Sequence, residues 1–241
     1  MSNLSIKQLG DILGIWAHPD DEVFSSAGLM MQAIENGQRV VLITATRGNA
    51  GNTADENRWP TARLHEIRTT ELQNSLDLLG VIEHHWLDYN DGFLEEISVD
   101  EAVSTILDII GDIQPDTIVT FEPDGITGHD DHKAVHRWAV ALQSKLVEKP
   151  QVMCAFESME FYEKYGAKLD KQHNIYFNID KPNLVSRKDA DYCVELDELH
   201  RLRKYQAIAA HTSQTSEMFA TQEGRVAIRC LCEYECFMLT K

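Results

Sequence analysis

Ile12-Leu13-Gly14-Ile15-Trp16-Ala17 is an apolar run that stops at His18-Pro19-Asp20-Asp21-Glu22, and this junction sets the reading of the whole chain. A short, uniformly apolar run bounded by a turn residue suits a strand buried on both faces, as in a parallel sheet. Val23 to Asn36 then reads as a helix ended by Gly37, and Val40 to Ala45 as a second strand. The same alternation continues downstream. Thr46 to Asn52 is a Gly- and Asn-rich loop, Pro60 to Leu79 a long helical pattern closed by Gly80, and Val81 to Leu87 a third strand. Val99 to Ile113 has helical spacing, Pro115 punctuates it, and Thr117 to Phe121 is a fourth strand. The loop Glu122 to Gly128 leads into a helix at Asp131 to Leu146. Repeated β-α-β order predicts an α/β fold, a Rossmann-like, mostly parallel sheet flanked by helices.

Beyond Pro150 the expected elements are strands at Val152 to Phe156 and Ile175 to Ile179, a helix at Asp197 to Ala210 and a long final strand at Val226 to Leu239. In that last segment Val226, Ile228, Cys230, Cys232, Tyr234, Cys236 and Met238 occupy alternate positions, which predicts one buried face. A thiol metal site is the sharper alternative, but cysteines spaced along one strand point the same way at growing distance.

Composition bounds the possibilities. The 241 residues are 43% hydrophobic and 25% charged, which excludes a disordered or fibrous chain. No repeat or linker divides the sequence, so residues 1–241 are expected to form a single domain. Lys and Arg number 22 against 39 Asp and Glu, a net charge of −17, so the surface should repel nucleic acid and anionic membranes. No membrane-length apolar segment occurs, and Met1 to Gly14 lacks the basic start and apolar block of a leader. These features lead to the expectation of a cytoplasmic protein. The odd set of five cysteines is expected to be reduced.

Chemistry concentrates in two places. His18, Asp20, Asp21 and Glu22 follow the first strand, where ligands bind in open α/β sheets, and Pro19 stiffens the turn. A plain alternative is an acidic start favoured by the next helix dipole. Gly128-His129-Asp130-Asp131-His132 follows the fourth strand, and two polar loop histidines are the plain alternative there. Both clusters arrive at one edge of a parallel sheet, and that coincidence points to a metal site with an open position. Spacing alone leaves the choice of ligands open. His136, one helical turn after His132, is a further candidate, more often exposed or supporting than ligating.

Ala17 to Glu22 together with Gly128 to His132 resembles the LmbE-like, or PIG-L, family of zinc-dependent N-deacetylases. The similarity extends to Thr46-Arg47-Gly48, Arg68-Thr69-Thr70-Glu71 with Leu79-Gly80, Asp88 to Gly92, and His211-Thr212-Ser213-Gln214. It departs at Asp130, where the family often has proline. The resemblance implies that His18, Asp21 and His132 bind zinc and that Asp20 is the general base toward the attacking water. It further implies that His129 is the cation or donor that stabilises the oxyanion, and that Asp131 orients a neighbouring histidine. Arg68 and Asp91 fall where family members contact the sugar. Zinc on two imidazoles and a carboxylate lowers the pKa of water to about 7, although the same donors accept other divalent ions. His129 is expected to be protonated because Asp131 lies close in sequence.

The implied reaction is removal of an acetyl, or similar small acyl, group from an N-acetylglucosamine-type compound, so the expected partner is a small N-acetylated sugar conjugate. Hydrolysis of another amide or a cyclic imide by the same centre is the alternative within enzymes. A catalytically idle binding module predicts damaged metal or base positions, and none is evident. Dinucleotide binding at Gly48 to Gly51 is disfavoured, since the Gly-x-Gly-x-x-Gly spacing is missing. Substrate choice is expected to lie in loops such as Trp59 to Arg63 and Glu157 to His173. The sequence leaves open whether copies form a homo-oligomer, and gives His211 no role.

Overall fold

Residues 5–53, 55–176, 178–179 and 182–240 are described by a computed structural model. The strands are β1 (Ile12–Trp16), β2 (Val40–Thr46), β3 (Glu83–Tyr89), β4 (Thr117–Phe121), β5 (Gln151–Ala155), the short β6 (Glu157–Ser158) and β7 (Leu184–Val185), β8 (Tyr192–Glu195) and β9 (Tyr234–Leu239). The helices are α1 (Asp21–Ser25), α2 (Ala27–Glu35), α3 (Leu64–Leu79), α4 (Val99–Ile110), α5 (Asp130–Gln143), α6 (Met159–Phe161), α7 (Ala167–His173), α8 (Glu198–Ala210), α9 (Thr212–Ala220) and α10 (Gln222–Leu231).

Seven strands form the main sheet in the order β3-β2-β1-β4-β5-β9-β8. The first five are parallel, while β9 runs antiparallel to both β5 and β8. β1, β2 and β4 are buried along their whole length, which explains their unbroken apolar sequences. Chain order reverses between β1 and β4, which pair from Ile12↔Thr117 to Gly14↔Val119. The crevice at their carboxyl ends is the place where such sheets bind ligands.

Several elements differ from expectation for identifiable reasons. The helix expected at Val23 to Asn36 is broken at Ser26, because the carboxylate of Glu235 caps a second helix start. It accepts from Gly28 N at 2.7 Å and Leu29 N at 2.8 Å. Lys204 Nζ lies 2.7 Å from the same carboxylate, with both side chains buried. The final segment is a helix followed by a short strand. Thr221 Oγ1 caps α10 by accepting from Gly224 N, and Gly224, Ala227 and Ile228 bury one helical face that the alternation of Val226, Ile228 and Cys230 had concealed.

Ile175 and Tyr176 lie in a turn in place of the expected strand, and Phe177 lies outside the described residues. So do Met1 to Leu4, the first residues of the leader reading. The expectation of fully reduced cysteines is corrected: Cys193 and Cys236, opposite one another on β8 and β9, form a disulfide. Cys154, Cys230 and Cys232 are thiols. Among the described residues no helix is long and apolar enough to cross a membrane.

Candidate functional site

β1 delivers His18, Asp20 and Asp21 to the crevice, and the start of α5 delivers His129, Asp131 and His132. His18 Nδ1 lies 3.1 Å from His132 Nε2, across 114 residues of sequence. Asp21 closes the triangle, its Oδ1 3.4 Å from His132 Nε2 and its Oδ2 3.6 Å from His18 Nδ1. The expected ligand set is therefore brought together.

Proton positions define what this triangle needs. His132 Nδ1 is 2.9 Å from the Gly125 carbonyl, which can only accept, so that nitrogen carries the hydrogen and Nε2 presents a lone pair. Gly125 is required here, since a Cβ at this residue would stand 2.7 Å from that of His132. On the far side of His18, Nε2 faces Asp91 Oδ1 at 3.0 Å and Asp131 Oδ2 at 3.2 Å, so it too is a donor. The space between His18 Nδ1, His132 Nε2 and the Asp21 carboxylate thus attracts a proton or a cation. Burial works against charge on His18, yet its bonds to Asp131, Asp21 and Asp91 raise its pKa well above the ordinary value. Burial pushes Asp21 the other way, but His132 and His18 hold its carboxyl well below the usual range. His132 is driven down to about 4 by burial, with His18 and His129 adding to the effect.

The donor set fits a divalent ion. Two imidazole nitrogens and a carboxylate oxygen converge, and each ring is oriented through its other nitrogen. Among the described residues two groups have all their ligand atoms within 4.8 Å of one another, His18 with His129 and His132, and His18 with Asp91 and Asp131; Asp21 joins the imidazoles of His18 and His132 through the separate contacts of its two oxygens. The second group already has its protons. Asp131 accepts from Gly92 N at 2.7 Å and Leu94 N at 2.9 Å, and Asp91 accepts from Ala50 N at 2.8 Å. These carboxylates are suited to holding His18 in place.

Asp20 stands beside the triangle at φ 112°, a region non-glycine residues rarely occupy. Three contacts enforce it. Its N–H donates to Glu22 Oε2 at 3.2 Å, Arg68 Nη2 donates to the Pro19 carbonyl at 2.6 Å, and the same nitrogen is 3.2 Å from Asp20 Oδ2. Burial, strengthened by Asp21 and offset by Arg68, places the Asp20 pKa at about 7. Arg68 Nη1 also donates to the carbonyl of Gly48, where a Cβ would be only 2.4 Å from that nitrogen.

Arg68 and Asp91 are each about 5% exposed and are engaged by the protein itself, not presented on an open surface. Of the two forms expected of His129, cation or donor, the geometry favours the neutral donor. Its Nδ1 accepts from Asp131 N at 3.2 Å, and burial and His18 lower its pKa, so the ring is neutral with Nε2 as its donor nitrogen. His136 donates to the Phe121 carbonyl at 2.8 Å and is not in the triangle.

Sequence reasoning missed the braces behind the site. Glu71 accepts from Ser213 N at 2.7 Å, Ser213 Oγ at 2.6 Å and Thr212 Oγ1 at 2.8 Å, which ties the Arg68 helix to the His211 segment. Glu22 and His211 face each other at 3.7 Å, both fully buried. Burial holds His211 near 3 and raises Glu22, so the pair is neutral.

Residues 13–143 match the family model described as PIG-L, GlcNAc-PI de-N-acetylase. A 1D-myo-inositol 2-acetamido-2-deoxy-alpha-D-glucopyranoside deacetylase from Kineococcus radiotolerans is 31% identical over 54% of this chain and 43% of its own, so the match spans less than half of that relative. The protein of the same name from Saccharomonospora viridis is 25% identical over 88% of this chain and 89% of its own. Among solved structures, N,N'-diacetylchitobiose deacetylase from Pyrococcus horikoshii superposes with a TM-score of 0.68 at 24% identity, covering 98% of this chain and 85% of the other. That likeness establishes the fold.

Proposed function

Because the chain belongs to the PIG-L family of GlcNAc-PI de-N-acetylases, we propose that it is a metal-dependent N-deacetylase of an N-acetylglucosamine-type small molecule, with residues 1–241 acting as one domain. The observation that carries this reading is the convergence of His18 Nδ1, His132 Nε2 and the two oxygens of the Asp21 carboxylate beside a half-buried Asp20. These three residues would hold the ion, for which zinc suits the donors best. A divalent ion bound there supplies Lewis acidity, acidifying water and polarising an amide carbonyl.

This chain's own groups divide the remaining work. Asp20, a carboxylate held by Arg68 beside the triangle, takes a proton from the attacking water and returns it to the departing nitrogen. Arg68 fixes the position of that carboxylate through Pro19 and Asp20. Neutral His129 serves as a hydrogen-bond donor to the oxygen on which charge develops. Asp91 and Asp131 keep the Nε2 proton of His18 and so keep Nδ1 turned into the triangle. We assign Arg68 and Asp91 these supporting roles in place of sugar contacts.

The test is amine release from N-acetylglucosaminides by wild-type protein and by Asp20→Asn. The expected result is release by the wild type and a loss of roughly 10²–10⁴-fold in the variant, with metal content unchanged. Failure to release amine from any N-acylated amino sugar defeats the proposal.

A further inference from the structure

Asp21 and His132 belong to a second feature as well: they line a cavity of about 310 Å³. Most of its wall comes from the chain beyond β5, including Phe161, Leu169, Tyr176, Ile228 and Leu231. Its charged groups beyond β5 are engaged within the protein. Tyr176 OH donates to Glu157 at 2.9 Å, Glu235 is held by Lys204 and the start of α2, and the Arg187 guanidinium lies 4.3 Å from the Tyr234 ring centre and 3.7 Å from Glu160. Asp20, His129 and His18 do not line it.

We propose that this cavity is the acyl subsite, and that the group removed is an uncharged alkyl or aryl acyl chain longer than acetyl. The inference rests on the amide hydrolysis proposed above and departs from it in the acyl group, for which acetyl is the smaller and poorer occupant. In that reaction the oxygen of water bonds to the acyl carbon, and the C–N bond breaks with its electron pair remaining on nitrogen. The nitrogen takes up the proton that Asp20 removed from water, which leaves a carboxylic acid and an amine. Four substituents surround the reacting carbon: two oxygens, the nitrogen and the acyl chain. The nitrogen must reach Asp20 or His129, and both stand outside the cavity, so the amino sugar lies with them. The acyl chain is the substituent left to enter the space that begins at Asp21 and His132.

Size and polarity support the same assignment. A methyl group is about as large as a water molecule, whose share of liquid volume is about 30 Å³. Acetyl would therefore leave most of the cavity unfilled. The wall is mostly apolar, which rewards an uncharged chain.

The experiment compares amine release by the metal-loaded protein from N-acetylglucosamine, N-octanoylglucosamine and octyl N-acetylglucosaminide. Each buried methylene is worth about fourfold in an equilibrium constant, so kcat/KM for the octanoyl amide is expected to exceed that for the acetyl amide by at least about tenfold. The octyl glycoside should gain little. Equal or better turnover of the acetyl amide overturns the proposal, as does a preference for the octyl glycoside, which would place the apolar group on the other half of the substrate.

Calorimetry with Asp20→Asn separates this inference from the function on which it rests. N-Octanoylglucosamine should bind at least about tenfold tighter than N-acetylglucosamine even where no turnover occurs, and equal affinities overturn the subsite. Phe161→Asp, with Leu231→Trp as a second variant should the first fail to fold, should reduce the octanoyl-to-acetyl ratio. An unchanged ratio in a folded variant contradicts the assignment.

Discussion

His18 Nδ1 and His132 Nε2 lie 3.1 Å apart, with the opposite nitrogen of each ring already committed, one to Asp91 and Asp131 and the other to the Gly125 carbonyl. Two acceptor nitrogens held so close are stable only with positive charge between them. A proton on His18 meets that need in the free protein, and a divalent ion held there would meet it better, with the Asp21 carboxylate as a third donor. The depressed Asp21 follows from this demand, since His132 and His18 hold its carboxylate charged, whereas Asp20 is raised chiefly by burial.

Lys204 and Glu235 form a buried pair that also caps α2, so removing the cation leaves a carboxylate stranded in the interior. Lys204→Met is expected to lower unfolding free energy by about 3 kcal/mol or more. Denaturant unfolding checks this, and a double-mutant cycle with Glu235→Gln should show coupling between the two positions.

The disulfide between Cys193 and Cys236 closes a separation of 43 residues. Alkylation of the denatured, unreduced protein should modify only the three thiols Cys154, Cys230 and Cys232. After reduction all five cysteines should react, and stability should fall by about 2–4 kcal/mol. Modification of all five before reduction would show that the bond is absent.

Burial raises the Glu157 carboxyl from its usual 4.5 to about 7. A carboxyl whose pKa is higher in the folded state favours folding fully below about 4.5, and that contribution is lost as pH rises through about 7. Between pH 5 and pH 8 the wild type is expected to lose about 1–3 kcal/mol that Glu157→Gln retains. Glu122, also raised to about 7, acts alike in both proteins, so the difference between their curves isolates Glu157. Parallel curves contradict the prediction.

The sheet around the site was legible because β1, β2 and β4 are buried on both faces, and continuous apolar sequence is the direct consequence. The two His/Asp clusters were legible because each follows such a strand. What stayed hidden depends on distant partners. Ser26 breaks a helix because of Glu235, a residue at the far end of the chain, and Asp20 adopts its strained backbone because Arg68 and Glu22 hold it there. Cys193 lies on a strand too short for periodicity to reveal, so its pairing with Cys236 could not be read from spacing. The charge of His129 depended on burial, on neighbouring His18 and on the donation from Asp131 N to its Nδ1.

The most direct test of the metal centre is calorimetric titration of chelator-treated protein with Zn²⁺, comparing wild type with His18→Ala and His132→Ala. The geometry predicts about one tight ion per wild-type chain, with affinity reduced at least about 100-fold in either variant while both remain folded. Undiminished zinc affinity in both folded variants would contradict the central claim that these two imidazoles hold a single ion.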